Sequence, residues 1–246
     1  MASDPIFNIG KAGLETTDEK VKALMDRMVN SETPGFKQHD VVIRSFPTEL
    51  QNAMNRLESS EIPQIDGTHY SFTQGALVRT GSPTDLALGA EGFFVIQCQW
   101  GEGYTRDGRF TVDRDGRLVT SVGGYPLLGT NGPIMVNPGD SIEVSQSGEI
   151  RANEALVDRI QVVKFENPEN LQSVNGSIFK DPDYSMYPVY IESPRVVQGY
   201  IESSNADIVD QMMDLMTLER VYNLNTKIVT VRDQGLARAI QMGQVQ

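Results

Sequence analysis

The chain has 246 residues, 39% hydrophobic and 22% charged, with 33 acidic against 21 basic side chains and a net charge of −12. That length and apolar content suffice to bury a core, as one large domain or two small ones, and exclude wholesale disorder. The acidic balance, without a basic cluster, argues against nucleic acid or an anionic membrane as partner; no apolar run approaches the ~20 residues of a membrane span; and a single cysteine, Cys98, rules out an intrachain disulfide.

The opening MASDPIFNIGKAG has neither the basic start nor the long apolar stretch of a cleavable secretory signal. Asp4 suits an N-cap and Pro5 the first helical position. Phe7, Leu14, Val21 and Met28 then recur every seven residues, with Leu24 and Met25 widening the stripe, so 5–29 reads as a helix with one apolar face. TTDE at 16–19 has the form of a second capping box and allows a break near Thr16. Pro34 and Gly35 end the segment. Residues 36–75 read as an extended connecting segment, within which 46–58 is either a short helix or a loop.

From 76 to 202 short Val, Ile, Phe and Tyr runs alternate with turn residues. Asp107-Gly108 and Asp115-Gly116 are hairpin-turn dipeptides, and Phe110 and Val112 alternate with Thr111 and Asp113 between them. Gly123-Gly124, Asn131-Gly132, Asn137-Pro138-Gly139 and Ser147-Gly148 mark further turns. Many short strands with local turns predict an antiparallel β-rich domain.

The last segment is helical again, capped by Ser204 or Asn205 and running from 206 to 242, roughly 55 Å at ~1.5 Å per residue. Ile208, Leu215, Tyr222, Val229 and Leu236 sit seven apart, and Val221, Leu224, Ile228 and Val231 add a second row. The fold class is therefore α+β: N- and C-terminal helices, paired as in a coiled coil, around a central β-rich domain. Stripes this wide exceed what one partner helix can bury, so the surplus apolar face requires other copies of the chain.

Little in the sequence suggests catalysis. His39 and His69 stand alone, with no second His or Cys at a metal-ligand spacing. Cys98 lies in the apolar run FFVIQC, a poor place for a nucleophile. TVDRDG at 111–116 has half the look of a calcium loop, but Thr111 and Val122 occupy its first and twelfth positions. No phosphate loop or GxSxG elbow is present. A close carboxylate pair among the 33 acids is left as the one enzymatic option, a secreted cell-wall glycosidase; an adhesive β module on a helical stalk is the other alternative. The chain is expected to be no enzyme and to need no cofactor or metal.

The ends become informative together. NSETPGFK at 30–37 resembles the signature N-x-x-T-P-G-[FY]-K that follows the first helix of flagellar rod and hook subunits, the axial proteins of the bacterial flagellum. Asn30, Thr33, Pro34, Gly35, Phe36 and Lys37 match it; Asp26, Arg27 and Glu32 depart from the family's usual asparagines. The C-terminal stretch is similar to the family's closing segment at Ser204, Asn205, Met212, Leu215, Arg220, Tyr222, Asn225, Lys227 and Asp233, and departs at Glu219 and Gly235. LALGAEGFFVIQ and YTRDGRFTVDRDGRLVTSVGGYPLLG resemble the β module of hook and later rod subunits.

The resemblance implies a helical inner, polymerising domain from 1–35 and 203–246 and an outer β-rich domain from 76–202. It implies stacking with copies of itself and related axial subunits around an export channel in the basal body, across the periplasm. It also implies export by the flagellar type III apparatus without a cleaved signal peptide. The chain is too short for the hook's extra outer domain, which points to the rod, with proximal and distal positions both open. The seven-residue stripes (Phe7, Leu14, Val21, Met28; Ile208, Leu215, Tyr222, Val229, Leu236) would form the assembly interface, and Asn30, Thr33, Pro34, Gly35 and Phe36 the junction between helix and β domain.

Overall fold

The computed structural model of the chain describes residues 5–46, 62–137, 139–182 and 186–243, in several places as backbone alone. Among these residues the chain is α+β, with two α-helices, α1 (Pro5–Val29) and α2 (Ile208–Gly243), and mostly antiparallel strands. It divides into two compact units. The first comprises Met1–Val29, His39–His69 and Asp207–Gln246; the second comprises Asn30–Gln38 and Tyr70–Ala206.

In the first unit, α1 is continuous through Thr16, where the sequence allowed a break. The Thr16 and Thr17 hydroxyls donate to the Ala12 and Gly13 carbonyls at 2.9 and 2.6 Å. Back-bonding to the preceding turn satisfies them inside the helix, so they do not cap a new one. The start of α2 also differs from expectation. Its cap is Asp207, whose Oδ1 accepts from the Val209 N–H at 2.7 Å; the Gln211 N–H closes the first turn on the Asp207 carbonyl at 3.1 Å. Asn205 is engaged elsewhere, in the second unit. Strands His39–Phe46 and Ile62–Tyr70 form a two-stranded sheet within the stretch read as a connecting segment. Residues 47–61, and with them nearly all of the 46–58 helix-or-loop, lie outside the described residues.

The second unit is built on a six-stranded sheet in the order Gln172–Ser173, Ile178–Lys180, Gly101–Thr105, Phe93–Cys98, Val162–Lys164 and Val189–Tyr190. The central strand FFVIQC is apolar on both faces because both are covered. Alternate side chains feed separate cores. Phe94 and Ile96 join Leu86, Phe110, Leu118 and Ile150, while Phe93 and Val95 join Tyr104, Val163, Phe165 and Phe179. Edge-on ring pairs tighten each core: Phe94 with Phe110 at 5.5 Å, Tyr104 with Phe165 at 4.8 Å. Cys98 is buried, and burial pushes its thiol up to about 11.

The two Asp-Gly turns part company. Asp115-Gly116 closes the hairpin between Phe110–Val112 and Leu118–Thr120. Asp113 Oδ1 accepts from the Asp115 and Arg117 N–H groups at 2.9 and 2.7 Å there. Asp107-Gly108 closes no hairpin, because the strands flanking it pair with different neighbours. Its glycine serves a close approach instead: Leu86 N–H donates to the Gly108 carbonyl at 2.9 Å, and a Cβ on Gly108 would fall 1.5 Å from the Leu86 oxygen.

Gly108→Ala is therefore expected to destabilise the chain by at least about 2 kcal/mol in urea unfolding, because backbone must move to admit the methyl; a loss below about 0.5 kcal/mol would contradict the packing. A thiol reagent at pH 8 is expected to modify Cys98 at least about tenfold more slowly in the folded chain than in urea.

Candidate functional site

After α1 ends at Val29, a tight turn forms. Thr33 N–H donates to the Asn30 carbonyl at 3.0 Å and Phe36 N–H to the Thr33 carbonyl at 3.2 Å; the Thr33 hydroxyl donates to Asn30 Oδ1 at 3.2 Å. Gly35 takes φ +70°, and a Cβ there would lie 2.2 Å from the Asp107 nitrogen, so both conformation and space demand glycine. Pro34, Phe36 and Lys37 are buried. This segment is thus an interior element of the second unit.

Lys37 explains why the motif matters to that interior. Its side chain is 0% exposed and that of its partner Glu202 is 1%. Lys37 Nζ donates to Glu202 Oε1 at 2.6 Å and to the Thr73 carbonyl at 2.7 Å. Arg106, 4% exposed, donates from Nη1 to Glu202 Oε2 at 2.9 Å and lies 5.7 Å from the centre of the Phe93 ring. The Gly75 N–H adds a third donor to the carboxylate at 3.0 Å. Burial pushes both Lys37 and Arg106 below their ordinary ranges, and Glu202 opposes that in each case. One carboxylate thus holds two buried cations. Next to it, Gly35 N–H donates to the Glu202 carbonyl at 2.8 Å. Asn205 accepts from Gln38 N–H at 2.7 Å and donates to the Ser71 carbonyl at 2.8 Å.

The helices carry the other candidate surface. On α2, Gln211 is buried and Leu215, Leu218, Asn225, Val229 and Arg232 are half-buried, a row at spacings of three, four and seven. A Cβ on Gly10 of α1 would lie 3.0 Å from Val229 Cγ2, and one on Gly13 would lie 3.1 Å from Asn225 Nδ2. The second row is open to solvent: Val221, Leu224, Ile228 and Val231 are all exposed, Leu224 by 60% and Val231 by 67%. Met212, Met213 and Met216 are exposed as well.

Of the expected interface residues, Leu14, Val21, Met28, Leu215 and Val229 are half-buried, and Ile208 and Tyr222 exposed. The side chains of Phe7 and Leu236 lie outside the described ones. On α1 the most buried side chains are Ala12, Thr16, Thr17, Ala23, Leu24 and Arg27; Leu24 belongs to the stripe read from the sequence, and the others are small or charged residues that a search for large apolar side chains passes over. Arg27 pairs with Asp40 at 3.0 Å.

Two carboxylates, Glu91 and Glu166, line a 350 Å³ depression of the second unit. Lys164 donates to Glu91 at 2.5 Å and holds its carboxyl below the usual range, the reverse of what a glycosidase's general acid needs. Among the described residues no group of three or more His, Cys, Asp or Glu could hold a metal ion, and no helix is long and apolar enough to cross a membrane.

Glu202→Ala leaves Lys37 and Arg106 as buried cations without their carboxylate and is expected to cost about 3–5 kcal/mol in urea unfolding. Combining it with Lys37→Met should cost less than the sum of the single losses; additivity within about 0.5 kcal/mol would mean the pair is not coupled.

Comparison with known proteins bears on both surfaces. Residues 87–152 match the family model described as the flagellar hook protein FlgE/F/G D1 domain, and residues 197–242 match the flagellar basal body rod FlgEFG protein C-terminal model, which spans Glu202 and nearly all of α2. The chain is 30% identical over 248 residues to the flagellar basal-body rod protein FlgF of Salmonella typhimurium, covering 95% of each chain. It is 30% identical over 249 residues to FlgF of Escherichia coli, again covering 95% of each. Over 259 residues it is 27% identical to the flagellar basal-body rod protein FlgG of Buchnera aphidicola subsp. Schizaphis graminum, covering 97% of this chain and 99% of that one. These relatives are structural proteins, and neither the glycosidase nor the adhesive-module alternative gains support from them. With relatives alike from end to end and both matched segments in place, the chain belongs to the flagellar basal-body rod protein family, as a structural subunit and not an enzyme.

Proposed function

We propose that the chain works by side-to-side packing of its helices with copies of itself and other axial subunits, forming part of the shaft that carries torque through the basal body around the export channel. The observation that carries this reading is the second row of α2. Val221, Leu224, Ile228 and Val231 form one apolar stripe open to solvent, and water-exposed stripes of this extent mark interaction sites. Burial at about 25 cal/mol per Å² of apolar surface would be the main assembly term.

In this reading α1 and α2 pair as in a coiled coil within a helical inner domain. The seven-residue spacing and the approach of Gly10 to Val229 and of Gly13 to Asn225 support it. Phe7, Leu14, Val21, Met28, Ile208, Leu215, Tyr222, Val229 and Leu236 would then divide between that pairing and contacts to neighbours. The β-rich unit would form the outer domain and make lateral contacts, joined to the helices through Asn30, Thr33, Pro34, Gly35 and Phe36. The position across the periplasm, and export by the flagellar type III apparatus without a cleaved signal, belong to the same proposal.

Replacing Leu224 and Ile228 together by Asp tests it. The isolated chain should keep its urea stability within about 0.5 kcal/mol, because exposed positions contribute little to the fold, while swimming of the source bacterium in soft agar should be lost. Normal swimming by the double variant, with the protein present in its basal bodies, would overturn the proposal.

A further inference from the structure

We propose that the Lys37–Glu202–Arg106 cluster is a latch that makes closure of the β-rich unit conditional on the arrival of its last segment, residues 200–205. The unit begins with Asn30–Gln38 and ends at Ala206, and the cluster joins those two ends. Lys37 reaches Glu202 across 165 positions and Gln38 reaches Asn205 across 167. The strand Tyr200–Glu202 also pairs with Leu77–Arg79, and Ser203 N–H donates to the Ala76 carbonyl at 2.8 Å.

Consider the unit without that segment. Lys37 and Arg106 would be two buried cations facing each other with no carboxylate, which is strongly unfavourable. The N–H groups of Gly35, Gln38 and Gly75 would lose their acceptors. Leu77–Arg79 would lose its partner strand. These losses fall at the first stretch of the unit, at Gly75–Arg79 and at Arg106, so an otherwise complete unit lacking its last segment is penalised at three separate stretches of chain. A segment that merely docked on a finished domain would leave apolar surface behind it, not uncompensated charge. Contacts of such sequence separation also form late, because their loop-closure entropy must be met before they stabilise anything. A chain still threaded or held extended beyond residue 199 therefore keeps this unit open, and it closes in one step once residues 200–205 are free to enter.

The latch concerns the isolated chain and does not rest on the rod reading, so its test is separate from motility. Native-state hydrogen exchange on the full chain, in sub-denaturing urea, reads it directly. The amides of Gly35, Gln38 and Gly75 should open together with core amides such as Leu118 and Leu127, which bond to Ile134 and Leu118 carbonyls, at one shared urea dependence. Opening of the first three at lower urea, while Leu118 and Leu127 stay protected, would show a loosely docked flap and overturn the latch. In E202Q the opening should rise at least about a hundredfold at all five amides; a rise confined to Gly35, Gln38 and Gly75 would again overturn it.

Discussion

The carboxylate of Glu202 is where this chain's two halves of sequence meet. It accepts from Lys37, Arg106 and the Gly75 N–H in an almost fully buried site. Ion clusters of this kind give little net stability over an apolar core, because desolvation offsets most of the Coulomb attraction. Their effect is on alternatives: a compact arrangement that keeps the two cations buried but takes the carboxylate away is heavily disfavoured. The Thr-Pro-Gly-Phe-Lys segment follows from that constraint. Gly35 lets the backbone pass against Asp107 at a spacing no side chain tolerates, and this close passage accompanies the burial of Phe36 and Lys37. The β-rich unit is thereby tied at its beginning, middle and end.

The helical unit is built on the opposite logic. Its second apolar row is exposed, its half-buried row includes Asn225 and Arg232, and α1 offers glycine and small side chains at the points of approach. The β-rich unit buries its charged cluster within itself, whereas the helices keep a row of apolar side chains open to solvent.

Much of this was legible in the sequence. The α+β order and the two helix positions follow from seven-residue spacing and from turn dipeptides, signals that depend on local chemistry alone. Asp115-Gly116 closes a hairpin because its flanking strands are neighbours in sequence and in the sheet. Asp107-Gly108 has the same letters, but a partner strand at Leu86 determines its geometry, and no local rule reaches that far. Thr16 and Asp207 show how an oxygen-bearing side chain can cap a helix or back-bond within one; the sequence supports both, and the backbone around it decides. Lys37, Arg106 and Glu202 were the hardest to see. Charged residues are read as surface by default, and nothing local signals that residues 165 apart share a buried carboxylate. On the buried face of α1 Leu24 was legible as part of the apolar stripe, whereas Ala12, Thr16, Thr17 and Ala23 escaped because they are small and Arg27 because it is charged.

In the proposed assembly the exposed row of α2 is covered by other subunits of the rod. A reconstruction of the intact basal body at side-chain resolution, with VYNLNTK at 221–227 traced, tests it most directly. Val221, Leu224, Ile228 and Val231 should each pack against apolar side chains of a neighbouring subunit. Finding that row facing solvent or the open channel would contradict it.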